Sequence, residues 1–216
     1  MKLKKILFES LSISDIPHIS SFEDANQFII DNNLKLIGEG STRIVYSLND
    51  KQVIKFAIEE ENIDQNLIEA NAYKCLGKRF AAEIFRYDSN GFWLVMEKVQ
   101  TLSDQEYKNK VNELLGFKLD YDSIKEKFNI DDFTDLPFNM ELADALIPMN
   151  EAQKNLHKIL CENSEWFRKF NNKIVHCKVH GKDLGHENFG LRGNKLVLID
   201  YAFELSDYDA EDAELC

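Results

Sequence analysis

The chain has 216 residues, 44% of them apolar and 30% charged, which suits an ordinary folded protein of one domain or two small lobes. Its formal net charge of -12 argues against general binding to nucleic acid or to an anionic membrane surface, because phosphates would repel it. A small phosphorylated ligand in a local basic pocket is still compatible with that charge.

No apolar run approaches membrane-spanning length. The start, "MKLKKILFESLSIS", is basic and then briefly apolar, but Glu9 and Ser10 break the run, so no signal peptide is expected. Cys75, Cys161, Cys177 and Cys216 are scattered and form no Cys-x-x-Cys pair. Free thiols in a reducing cytoplasm are the expected state.

In chain order, "SFEDANQFIIDNN" predicts a short helix capped at Ser21, with Phe22, Ala25, Phe28 and Ile29 on one face. "LKLIGEG", "RIVYSL" and "QVIKFAI" then read as three strands, the last two joined by the turn signal "ND". "NIDQNLIEANAYKCLG" predicts a helix with Ile63, Leu67, Ala70 and Tyr73 or Lys74 along its stripe and Gly77 as its stop. "EIFRYD", the turn "SNG" and "FWLVMEK" predict a hairpin, in which Phe92 and Trp93 fill the sheet core. The first half is thus an antiparallel sheet with one helix against it.

After Lys98 the pattern becomes helical, with "LSDQEYKNKVNELLGF" and "DYDSIKEKFN" as two helices and "DDFTDLPFN" as a loop. "NEAQKNLHKILCENSEWFRKFNNK" predicts one long amphipathic helix, with Leu156, Ile159, Leu160, Trp166, Phe167 and Phe170 facing a core. A polar loop follows, and then a hairpin of "NFGL", the turn "RGN" and "KLVLID". From Glu204 the tail carries six acids and no base, and is expected to be solvated and frayed. Four segments result: an extension with a short helix over 1–33, a first lobe over 34–100, a reduced helical lobe over 101–204 and an acidic tail over 205–216. No Pro- or Gly-rich linker separates the lobes, so a shared cleft is expected.

Asp183 and Asn188 stand five apart before the last hairpin, and Asp200 ends its second strand. Folding the hairpin back returns Asp200 toward Asn188. Carboxylate and amide oxygens at a hairpin mouth suit Mg²⁺, a hard ion usually completed by substrate phosphates. Asp183 is then placed to orient or deprotonate a hydroxyl. In the first half, Gly38 and Gly40 let backbone N–H groups approach a phosphate, Lys55 lies on the next strand, and Glu69 lies on the next helix where it would pair with Lys55. Taken singly, each piece has a plainer reading: the glycines as a hairpin turn, Lys55 and Glu69 as surface charges, Asp183 and Asn188 as turn-formers.

Together and in this order, these pieces resemble the protein-kinase-like superfamily, which includes small-molecule phosphotransferases such as the aminoglycoside and choline kinases. "GEGSTRIV" is similar to the nucleotide-covering loop, "VIK" to the phosphate-binding lysine strand, "IEANAYK" to the helix bearing its glutamate and "MEKV" to the adenine hinge. "KDLGHEN" is similar to the catalytic loop and "LIDYA" to the metal-binding Asp motif. Arg43, Gly181 and Ala202 depart from the family pattern.

The resemblance implies an α+β two-lobed kinase-like fold that binds ATP and Mg²⁺ and transfers phosphoryl to a hydroxyl of a small-molecule or protein acceptor. It implies catalytic roles for Asp183, Lys55 and Glu69, and nucleotide contacts from Gly38, Gly40, Ser41, Thr42, Val45, Lys55, Glu97 and Val99. It assigns the metal to Asn188 and Asp200. Only 13 residues follow Phe203, so the helices between Leu102 and Lys173 would have to supply any acceptor pocket.

Other readings stand beside this one. A nucleotidyl-transferring variant would use the same residues. A catalytically inactive kinase-like scaffold would bind a basic protein partner, as in a phage or bacterial antagonist of a host factor. A DNA mimic rests only on net charge and the acidic tail. A zinc site at His176, Cys177, His180 and His186 lacks a coherent fourth-ligand pattern, and His180 reads better as a packing residue under the catalytic loop.

Overall fold

A computed structural model describes residues 11–120, 123, 151–179, 184–201 and 216. The chain divides into two compact units, Met1–Leu67 with Ile84–Lys98, and Ile68–Glu83 with Val99–Cys216. The fold is α+β, as expected.

In the first unit, helix α1 (Phe22–Asp31) starts at Ser21, whose hydroxyl accepts from the Asp24 N–H at 3.1 Å. Five strands follow: β1 (Lys35–Glu39), β2 (Arg43–Ser47), β3 (Gln52–Ala57), β4 (Ile84–Tyr87) and β5 (Trp93–Glu97). They form one antiparallel sheet in the order β1-β2-β3-β5-β4. Helix α2 (Ile63–Leu76), inserted between β3 and β4, belongs to this unit only up to Leu67, and it ends at Gly77, whose positive φ of 69° and N–H bond to the Tyr73 carbonyl stop the helix. The turn before β3 forms because Asn49 accepts the Lys51 N–H on its side chain at 2.9 Å. Ala25 and Phe28 of α1 pack into one core with Ile54, Phe56, Trp93 and Val95 of the sheet. Trp93 is buried there, and half-buried Phe92 meets Phe22 edge-on.

The second unit contains β6 (Gln100–Thr101), α3 (Asp104–Leu115), α4 (Glu151–Asn163), α5 (Glu165–His176), β7 (Phe189–Arg192) and β8 (Lys195–Leu198). Strands β6, β7 and β8 form a three-stranded antiparallel sheet in that order. Tyr107, Val111 and Leu115 of α3, Leu160 of α4, Phe167, Phe170 and Ile174 of α5, and Phe189 and Leu198 of the sheet share its core. The helix expected over "DYDSIKEKFN" and the loop "DDFTDLPFN" lie almost wholly outside the described residues. No helix among the described residues is long and apolar enough to cross a membrane.

The structure corrects three expectations. The single long helix is two, because Ser164 leaves helical geometry and caps a new start, its hydroxyl accepting from the Phe167 N–H at 3.2 Å. Ile159, before the break, is 49% exposed instead of facing the core, while Leu160 in the same helix and Phe167 and Phe170 in the next are buried. The cysteines are not free thiols: Cys75 is bonded to Cys177 and Cys161 to Cys216, with Cα atoms 5.6 and 5.3 Å apart. Helix packing in the second unit brings residues 102 and 55 positions apart into bonding range, which no spacing rule foretells. The end of the acidic tail is tethered where fraying was expected, since Cys216 also donates its N–H to Asn172 Oδ1 at 2.9 Å.

Helix α3 opens with a capping box: Ser103 N–H donates to Glu106 Oε2 at 2.8 Å, and the Ser103 hydroxyl accepts from the Glu106 N–H at 3.4 Å. Those Ser103 donors, the backbone N–H foremost, hold the Glu106 carboxyl below its ordinary value of 4.5. Ser103→Ala should destabilise the second unit by about 1 kcal/mol in urea unfolding. A carboxylate whose folded pKa is lowered stabilises above its unfolded pKa and loses that effect as pH falls through the folded one. The stability gap between wild type and Glu106→Gln should therefore be full at neutral pH and close as pH falls below 4.5, read from urea midpoints across pH.

Candidate active site

The β7–β8 hairpin is built into the second unit from both sides. On one side β6 pairs with β7, Gln100 opposite Leu191. On the other, Leu198 donates its N–H to the Phe80 carbonyl at 2.8 Å and accepts from the Ala82 N–H at 2.7 Å. Arg192 adds bonds to the Lys78 and Ala81 carbonyls. Lys110, nearly buried on α3, bonds Glu113 at 2.7 Å and Asn194 at 2.9 Å, and so holds the hairpin turn.

This frame sets the hairpin mouth. The Ile199 N–H donates to the Asn188 carbonyl at 2.8 Å, continuing the pairing of Phe189 with Leu198 by one step. Asn188 therefore enters the hairpin, and Asp200 leaves it, at the same end. Both are half-buried, and between them they offer amide and carboxylate oxygens. That donor chemistry fits a hard cation such as Mg²⁺ and does not suit a soft one. Asn188 closes a short 3-10 turn, His186–Asn188, with its N–H bonded to the Gly185 carbonyl at 3.0 Å. Asp183 and His180 lie outside the described residues; Leu184, which follows Asp183, is buried in the second core.

In the first unit, Lys55 sits in the middle of β3 with Val45 and Leu94 as its cross-strand neighbours, and is only 4% exposed. The β1–β2 turn carries Gly40, Ser41 and Thr42, and is closed by the Gly40 N–H bond to the Arg43 carbonyl at 2.9 Å. Gly38 lies in β1 opposite Val45, beside a register shift that begins after Leu36. Glu97 ends β5, and the chain passes from the first unit to the second between Lys98 and Val99. Glu69 belongs to the part of α2 counted in the second unit and is 0% exposed. Neither Lys55 nor Glu69 is thus a surface charge. The buried face of α2 also includes Asn66, whose amide donates to the Gly91 carbonyl at 2.8 Å, so this helix turns polar groups inward.

The loop glycines are not required by the fold. Neither has a positive φ, and an added Cβ would meet Val45 at 3.8 Å from Gly38 and the Arg43 carbonyl at 3.6 Å from Gly40, both ordinary contacts. Gly190 differs, because a Cβ there would overlap the Val99 Cγ2 methyl and stand 3.0 Å from the Gln100 carbonyl. Lys110, Arg192 and Gly190 were not expected as positioning residues. Only the odd lysine on the apolar side of α3 hints at such a role in the sequence. Of the zinc ligands considered above, His176 is exposed and Cys177 is committed to Cys75.

No protein-family model matches the chain, and no curated protein matches it by sequence. Solved structures similar to it include the ADP-bound aminoglycoside phosphotransferase APH(2'')-Ib, 18% identical over 88% of this chain and 72% of that one, TM-score 0.42. The gentamicin complex of APH(2")-IIa is 17% identical over 91% and 74%, TM-score 0.42. Choline kinase LicA from Streptococcus pneumoniae is 14% identical over 88% and 77%, TM-score 0.41.

Gly190→Ala should lower stability by about 1–3 kcal/mol through overpacking. Gly38→Ala and Gly40→Ala should each stay within about 0.5 kcal/mol of wild type. Urea unfolding of the three variants checks both expectations.

Proposed function

We propose that the chain is an ATP-dependent phosphotransferase of kinase-like type, moving a phosphoryl group onto a hydroxyl of a small-molecule or protein acceptor. The observation that carries this reading is the hairpin mouth, where one backbone bond from Ile199 to Asn188 places an amide and a carboxylate at the same end. Two further features support it: a lysine buried in mid-strand among apolar neighbours, and two loop glycines that the fold does not require.

In this proposal Lys55 binds the α- and β-phosphates, and Glu69 is the carboxylate that orients its ammonium. Backbone N–H groups from Gly38 to Thr42 cover the phosphates, Val45 packs on the base, and Glu97 and Val99 bind the adenine edge through their main chain. Asn188 and Asp200 would hold Mg²⁺, which when bound offsets phosphate charge. Asp183 orients the acceptor hydroxyl and accepts its proton as the new oxygen–phosphorus bond forms and the bond from the γ-phosphorus to the β-γ bridging oxygen breaks, releasing ADP. Catalysis by these residues is positioning and electrostatics. The cytoplasmic setting expected from the sequence is part of the proposal, and in a reducing cytoplasm the two cystines would stand as dithiols.

Mg-ATP at a hundredfold excess over its dissociation constant should stabilise the folded chain by about 2.7 kcal/mol. An unchanged melting temperature in millimolar Mg-ATP, Mg-ADP and Mg-GTP would overturn the proposal. Gly38→Ala and Gly40→Ala, neutral for folding, should weaken nucleotide binding.

The two aspartates should separate. Asp200→Asn should impair metal-dependent nucleotide binding together with turnover. Asp183→Asn should spare Mg-ATP affinity and cut the rate by about 10²–10⁴. Equal loss of affinity in both, with circular dichroism unchanged, would show the roles to be misassigned. Nucleotide binding without phosphate transfer to any component of a lysate would favour the inactive kinase-like scaffold, with a basic protein as its partner.

A further inference from the structure

Away from the hairpin, the second unit gathers three metal-ligating side chains. His157 and Cys161 lie four residues apart on α4 and so share one helical face. Cys216 is brought to the same place, and one ligand atom from each of the three lies within 4.8 Å of the others. His157 Nε2 is 3.2 Å from Cys161 Sγ and 3.7 Å from Cys216 Sγ. In a tetrahedral site with Zn–N of about 2.0 Å and Zn–S of about 2.3 Å, a nitrogen and a sulfur ligand stand about 3.5 Å apart. The two observed separations lie on either side of that value.

The surroundings are those of a built site. His157 and Cys161 are buried, and the Phe167 ring stands edge-to-face with the imidazole at 5.7 Å. The Cys216 N–H is held by Asn172 Oδ1 at 2.9 Å, and the Asn171 amide nitrogen lies 3.7 Å from Cys216 Sγ. Asn171 and Asn172 both lie on α5, so residue 216 has contacts to that helix besides its bond to Cys161.

We propose that His157, Cys161 and Cys216 form a zinc site when the Cys161–Cys216 disulfide is reduced, so that these residues alternate between a cystine and a metal centre. A dithiol reductant cleaves the bond, leaving two protein thiols and closing to its own cyclic disulfide. Zn²⁺ then forms two Zn–S bonds as the two thiol protons pass to solvent, and the imidazole nitrogen donates its lone pair. The fourth position is left for water or an exogenous ligand. Two thiolates and an imidazole select a soft or borderline ion, and a hard one such as Mg²⁺ is not held. This site is independent of the phosphotransfer reading, because it shares no residue with the hairpin mouth.

The test uses the untagged full chain, reduced with a dithiol and then freed of it without oxygen. Titration with Zn²⁺ against a chromophoric chelator should show one equivalent bound to the reduced chain and none to the oxidised chain. Co²⁺ should give sulfur-to-metal charge-transfer absorption and the intense visible bands of a tetrahedral centre. Cys216→Ser and Cys161→Ser should each abolish those bands, and His157→Ala should shift them and weaken binding at least tenfold. The double variant Cys75→Ala, Cys177→Ala should keep one full equivalent. Absence of stoichiometric binding, equal binding by the oxidised chain, or binding that follows Cys75 and Cys177 would each overturn the proposal. Should Cys161→Ser fail to fold, Cys216→Ser decides, because residue 216 is half-buried and contributes to no helix or strand.

Discussion

Leu198 carries the backbone bonds on which the second unit's geometry depends. Its N–H and carbonyl are both committed to residues 80–82, at 2.8 and 2.7 Å, while the next N–H, from Ile199, closes the hairpin on Asn188. A hairpin of two four-residue strands is marginal by itself in water. Here it gains β6 as a third strand along one edge and an isolated parallel bridge from Ala81 along the other. Phe189 and Leu198 bury their side chains in the core at the same time. The polar residues at the mouth therefore stand on backbone that is pinned on two edges and packed beneath, the support that a constellation of ligands needs.

Local chemistry is what the sequence made legible. Ser21 before an acidic first turn, Asn49 in a hairpin turn and Gly77 after a helix each act within a few residues of themselves, and each element stands where those signals put it. Strand β6 was missed because two residues carry no period, and its existence depends on a partner nearly ninety positions later. Ser164 was missed for a different reason. The apolar stripe runs on through it, and a serine inside an amphipathic pattern reads as a tolerated polar residue until its hydroxyl is seen on the Phe167 N–H. The inward turn of Asn66 was also hidden, since it is buried where periodicity assigned the buried stripe to apolar neighbours. In the candidate site, Asn188 and Asp200 were legible as a hairpin's two ends. The lysine and arginine that steady the hairpin were not, because their partners are distant main-chain and side-chain oxygens.

The buried basic residues differ in what the fold asks of them. Lys110 replaces its lost hydration with Glu113 and Asn194, and in doing so fixes a turn, so its burial has a structural account. Arg192, only half-buried, bonds the Lys78 and Ala81 carbonyls in the segment after α2. Lys55 occupies a strand whose other buried positions are Val53, Ile54, Phe56 and Ala57, opposite Val45 and Leu94. Desolvating an ammonium costs several kcal/mol even after relaxation, and replacing a buried charge pair with packed hydrocarbon is often neutral or stabilising. The glycines at 38 and 40 forgo side chains that the backbone would accept. Glycines that a backbone does not need are where sequence and structure part company for chemical reasons.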